Sequence, residues 1–134
     1  MSGLDVEVLG EVPVAPDAEE TAALCRRALA AAGVRDGHVA VTFVDEASIR
    51  ELNRDHRGRD AATDVLSFPV DGSAATHGPR ELGDVVICPP RTTDLREAVV
   101  HGALHLAGLD HETDSGEMLA LQAEVLRAAE AGGT

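Results

Sequence analysis

Residues 101 to 111 read His-Gly-Ala-Leu-His-Leu-Ala-Gly-Leu-Asp-His and hold three of the six histidines of the chain. His101 and His105 are four positions apart, so a helix sets both imidazoles on one face, one turn above the other. Gly108 then stops the helix, and a positive φ at that glycine lets the chain turn sharply and bring His111 back toward the other two. Three neutral imidazole nitrogens converging in this way fill three corners of a tetrahedral Zn²⁺ site and leave the fourth open, the arrangement of a catalytic zinc. A single histidine is more often an exposed or hydrogen-bonded core residue, and it is the spacing, glycine included, that argues for a metal. His38, His56 and His77 have no such company and read as structural or exposed, His56 being a lesser candidate because it adjoins Arg57.

The elements that must position these residues can be read from capping and periodicity. Asp94, with Glu97 three residues on, opens a helix that runs through Val99, Val100, Leu104 and Leu106 to Gly108. A last helix spans about Asp114 to Ala129, with Met118, Leu121, Val125 and Ala129 on one stripe. Upstream, Leu4 to Leu9 alternates as a half-buried strand, and Asp17 with Glu20 opens a helix that ends at Gly33. His38 to Val44 is a second strand, and Asp45 caps a short helix from Glu46 to about Arg54. Arg54 to Thr63, polar and without apolar period, reads as a loop, followed by short strands at Asp64 to Phe68 and Leu82 to Cys88. The order β-α-β-α-β-β-α-α predicts an α/β (α+β) domain: one mixed sheet of about four strands packed with about four helices.

Size and composition bound what this site can serve. At 134 residues and 13.9 kDa the chain forms one domain, 1–134, with a frayed tail at 132–134. No apolar run is long enough to span a bilayer and no secretory signal opens the chain, so a cytoplasmic protein without a membrane partner is expected. Cys25 and Cys88 read as buried thiols. The formal net charge is −13, and every basic residue is arginine, which excludes lysine chemistry. A nucleic acid held through its phosphates would therefore need a local basic patch. With Phe43 and Phe68 as the sole aromatics, no base-stacking platform can be built.

The spacing HxxxHxxGxxH also occurs in metzincin proteases, where a glutamate after the first histidine is the general base. Here that position is Gly102, so a peptidase would lack its proton acceptor. HGALHLAGLDH, together with LNRDHRGRDAATDVLSFP at residues 52 to 69 and LGDVVIC at 82 to 88, resembles the YbeY family of bacterial metal-dependent endoribonucleases, also called rRNA maturation factors. Glu112 to Glu124 is similar to the C-terminal helix of that family. The resemblance implies a metal, usually zinc, on His101, His105 and His111, and an arginine important for activity at Arg57. It further implies cleavage of single-stranded RNA in small-subunit ribosomal RNA end maturation and in ribosome quality control, with the small subunit and its proteins as partners.

The chain departs from the family pattern in places. Pro89 to Val100 covers a distance that is usually longer and partly helical, which predicts a reduced groove wall; His56 replaces an aromatic, and Ala62 a proline. Without the resemblance, Arg57 would read as an exposed partner of Asp55 or Asp60. Glu97 or Asp110 could accept the far N–H of a metal histidine. Two further readings follow from the same residues. A metallopeptidase is suggested by the histidine spacing. A non-catalytic assembly factor stabilised by its metal is suggested by the acidic charge, which suits basic ribosomal proteins.

Overall fold

Three helices begin where an aspartate meets a free backbone amide. In the computed structural model Asp17 accepts from Glu20 N at 2.9 Å, Asp45 from Ser48 N at 2.8 Å and Asp94 from Glu97 N at 3.2 Å, as the sequence spacing predicts. The structure describes residues 3–70, 81–110 and 114–132. His77 and His111, both named above, lie outside them, as do residues 133–134 of the expected frayed tail.

The elements are β1 (Gly3–Gly10), α1 (Ala18–Ala31), β2 (Asp36–Phe43), α2 (Glu46–Arg57), β3 (Val65–Pro69), β4 (Glu81–Ile87), a 3₁₀ turn (Pro89–Arg91), α3 (Leu95–Leu106) and α4 (Glu117–Gly132). The strands form one mixed sheet in the order β1-β2-β4-β3, parallel except for the antiparallel β3–β4 pair. Among the described residues the α/β class, the four strands and the four α-helices agree with the sequence reading.

Three boundaries differ from expectation. α2 continues past Arg54 to Arg57 and ends where Gly58 turns left-handed at φ 71, so Arg57 sits on the last helical turn rather than in a loop. Residues 54 to 57 are all polar, so no apolar period marked them as helical. α4 begins at Glu117, and Asp114 stands before it, its carboxylate accepting from Met118 N at 2.9 Å and Gly116 N at 2.8 Å. Gly132 belongs to α4 instead of the tail.

The sheet separates two cores. Val39, Val41, Phe43, Val85 and Ile87 face α1, α3 and α4. On the opposite face Ile49 of α2 packs on Leu66, Val86 and Cys88. Cys25 and Cys88 are free and buried, and burial pushes the Cys25 thiol up to about 12, so neither is a reactive thiolate.

Where α2 leaves the sheet uncovered, His38 of β2 is bracketed by carboxylates from both neighbouring strands. Its Nδ1 is 2.7 Å from Glu81 Oε2, and its Nε2 is 3.3 Å from Glu7 Oε1. The Glu81 hydrogen bond, aided by the charges of Glu81 and Asp5, raises the imidazole above its ordinary 6.5. The sign follows from linkage. Below 6.5 the stabilisation is fully present, and it is lost as pH climbs through the raised folded value. The urea midpoint of wild type should therefore exceed that of His38→Gln by more at about pH 6 than at about pH 8.5. An equal gap at both would remove His38 from the pH dependence.

Candidate active site

α3 is the central helix, packed on β3 and β4 and against α1 and α4. From Ala98 to Leu106 every residue is buried except His101 and His105, which are partly exposed. A helix made apolar on nearly all sides is thus open along one stripe, and that stripe carries two imidazoles. Their rings meet edge to face with centroids 4.7 Å apart, and the two Nε2 atoms are 3.2 Å apart.

That separation can be tested against a metal. Two nitrogens each about 2.0–2.1 Å from one ion, at the tetrahedral angle, lie about 3.3 Å from one another. The His101 and His105 pair fits this requirement. After α3 the chain turns at Gly108 with φ 98, the positive value expected of the sequence before His111. Among the described residues no group of three or more His, Cys, Asp or Glu is arranged to hold a metal. The third expected ligand, His111, is outside those residues.

His101 is oriented from another helix. Its Nδ1 is 2.7 Å from Oε1 of Gln122 on α4, a partner the sequence reading did not name. Gln122 is a polar side chain on the buried stripe between Met118 and Val125, both in the core. A polar residue at a core position of an amphipathic helix was the available signal, and the apolar stripe drew attention away from it.

Arg57 comes from the opposite wall. Asp60 is held by Arg50 through contacts of 2.7 and 3.1 Å, and Asp55 by Arg54 at 3.3 Å. The two carboxylates nearest Arg57 in sequence are therefore engaged elsewhere, and among the described residues none pairs with it. Instead Arg57 Nη2 donates to the Ser67 carbonyl at 3.2 Å. The Ser67 hydroxyl in turn donates to the Gly102 carbonyl at 3.0 Å, linking the arginine to the helix that bears the histidines. Asn53, buried one turn before Arg57, fixes the loop after α2 by donating to the Ala61 carbonyl at 2.9 Å. His56 lies in an edge contact with Phe68, ring centroids 5.1 Å apart, and not beside the other histidines.

Gly102 explains how closely helix and sheet approach. A Cβ built there would lie 2.5 Å from Val85 Cγ1 and 3.4 Å from Ser67 Oγ. The position faces the sheet, so no carboxylate can stand after His101 in this fold. The proton acceptor a metzincin-type peptidase requires is thus excluded sterically as well as by sequence.

These parts border one groove of about 1310 Å³, with His101 and His105 on one side, Arg57 and Arg59 on another, and Arg91 to Asp94 closing it. Arg57, Arg59 and Arg91 face the acids Asp64, Asp94, Glu97 and Asp110 there, which is far closer to balance than the −13 of the whole chain. The short segment after β4 supplies Arg91, Thr92 and Thr93 to the wall. No helix among the described residues is long and apolar enough to cross a membrane.

The family model described as Endoribonuclease YbeY matches residues 11–130. The Endoribonuclease YbeY of Rubrobacter xylanophilus is 43% identical over 116 residues, covering 82% of this chain and 83% of the relative. That of Salinispora tropica is 34% identical over 148 aligned positions, covering 92% of this chain and 94% of its own. The solution structure of TM1509 from Thermotoga maritima is similar with a TM-score of 0.53 and 28% identity, over 90% of this chain and 85% of that one. Because the match runs from before α1 through both groove histidines and most of α4, the chain belongs to the YbeY family of endoribonucleases.

Proposed function

We propose that this protein is a zinc-dependent endoribonuclease of the cytoplasm that cleaves single-stranded RNA, with His101, His105 and His111 as metal ligands and Arg57 as a catalytic residue. Its role would be end maturation of small-subunit ribosomal RNA and ribosome quality control, as the resemblance to its family implies. The observation that carries the reading is the pair of Nε2 atoms 3.2 Å apart on the partly exposed stripe of the otherwise buried stretch 98–106 of α3, facing a groove that also holds Arg57.

Phosphodiester hydrolysis needs a nucleophile and neutralisation of charge on the non-bridging oxygens. A divalent ion, when bound, supplies Lewis acidity and brings the pKa of its water toward neutrality. Arg57 supplies the second positive charge. Its planar fork can pair two phosphate oxygens, and it stays protonated whatever its surroundings. The bond to the Ser67 carbonyl uses one N–H and sets the plane of the fork, leaving other donors for a phosphate. Arg59 and Arg91 add charge along the same groove, which supports RNA as substrate despite the acidic whole. The remaining acidic surface suits contact with basic ribosomal proteins of the small subunit.

The test is cleavage of an unstructured RNA by protein stripped of metal and then resupplied with Zn²⁺. Activity should vanish on stripping and return with zinc. Arg57→Ala should lower the zinc-restored rate by roughly 10²-fold, and Arg57→Lys should recover only part of it, because an ammonium cannot pair two oxygens. Cleavage indifferent to stripping would overturn the reading. Zinc-dependent cutting of an unstructured protein, with RNA left intact, would replace it by the peptidase.

A further inference from the structure

Gln122 is 9% exposed and lies between the buried side chains of Met118 and Val125. An amide in such a place destabilises the fold unless it is hydrogen-bonded, and its oxygen is bonded to His101 Nδ1 at 2.7 Å. An amide oxygen has no proton to give, so the bond forms only when Nδ1–H donates. In the neutral ring that bond places the proton on Nδ1 and the lone pair on Nε2, the atom that faces His105 Nε2 at 3.2 Å.

We propose that Gln122 is the positioning residue of this site. It holds His101 in the Nδ1–H tautomer with Nε2 turned toward the place a divalent cation would take, and it strengthens that nitrogen as a ligand. It acts through His101 and does not touch RNA. The proposal rests on the metal reading given above, and reaches α4 for a function that the histidine motif leaves to α3 and the loop after it.

Two measurements on wild type, Gln122→Met and Gln122→Glu test it: imidazole ¹⁵N shifts of the metal-free proteins, and zinc affinity by competition with a chromogenic chelator. Methionine matches the length of glutamine without an amide oxygen, and glutamate keeps an acceptor. Wild type and Gln122→Glu are expected to carry the His101 proton on Nδ1, whereas Gln122→Met loses that preference and binds zinc roughly 10- to 100-fold more weakly. Gln122→Glu should bind zinc at least as tightly as wild type.

A hydrogen bond that merely stabilises the fold would lower the melting temperature of the metal-free protein and leave tautomer and affinity unchanged. A folded Gln122→Met protein with either property unchanged therefore overturns the proposal, as does a wild-type proton on Nε2. Should Gln122→Met not fold, weaker zinc binding by Gln122→Glu overturns it, and equal or tighter binding supports it. Failure of the metal reading looks different: no protein, wild type included, takes up zinc. A tautomer that still depends on Gln122 in that case upholds its hold on the ring.

Discussion

Cleavage of unstructured RNA by the His105→Ala protein is expected to fall at least about 100-fold below wild type at matched zinc, while its fold survives. A bound cation contributes several kcal/mol to charge stabilisation in the transition state, and about 2.7 kcal/mol already corresponds to 100-fold. The substitution removes a nitrogen from the pair whose 3.2 Å spacing suits one ion. Stability has less at stake. His105 is partly exposed on α3, in contrast to the fully buried Ala103 and Leu104 beside it, and alanine favours a helix more than histidine does. The check is a cleavage assay run beside circular dichroism melts of both metal-free proteins. Equal cleavage by the two would show that the histidine pair is not the reaction centre, and would exclude the nuclease assigned to this groove. The assembly-factor reading would then take precedence, supported if zinc raises the melting temperature of wild type more than that of the variant.

Gly102→Ala should lower the melting temperature by several degrees, although alanine normally stabilises a helix. The propensity gain is about 1 kcal/mol. Against it stands a Cβ placed 2.5 Å from Val85 Cγ1, a separation that real Cβ atoms do not show. Val85 is fully buried and β-branched, so it has no free rotamer into which to retreat. Overpacking of this kind costs about 1–3 kcal/mol, and lifting α3 from the sheet would also strain the Ser67 to Gly102 bond, worth about 1 kcal/mol. The net loss is about 1–3 kcal/mol, roughly 3 to 12 °C for a domain of this size.

Removing the obstacle should reverse the sign. In a Val85→Ala background, Gly102→Ala is expected to be neutral or stabilising, a coupling that a double-mutant thermal cycle reads directly. A single Gly102→Ala protein as stable as wild type would contradict the close approach. The same step of α3 away from β4 would carry His101 and His105 away from Arg57, so cleavage should fall along with stability.

Much of the architecture was legible because its causes are local. Asp17, Asp45 and Asp94 each meet an amide three residues on, and the pairing of His101 with His105 needs only the pitch of a helix. Local rules fell silent where no apolar period existed, as at Arg54 to Arg57, where backbone bonds alone carry α2 to its glycine. Nor could they reach the partner of His101 on another helix. Glu97 is near it in sequence, whereas Gln122 is 21 residues away and is brought close by the packing of α4 on α3.

The sequence by itself determined the element types, the caps, the histidine spacing and the absence of a carboxylate after His101. Each depends on residues within one or two turns of one another. Tertiary structure alone decided the order β1-β2-β4-β3, the freedom of Arg57 from Asp55 and Asp60, the gathering of three arginines at one groove, and the contact that makes Gly102 obligatory. These depend on distances between segments that share no local pattern. They are set by how closely a nearly all-buried α3 can approach Val85 and Ser67 across the sheet, a matter of shape and volume in three dimensions.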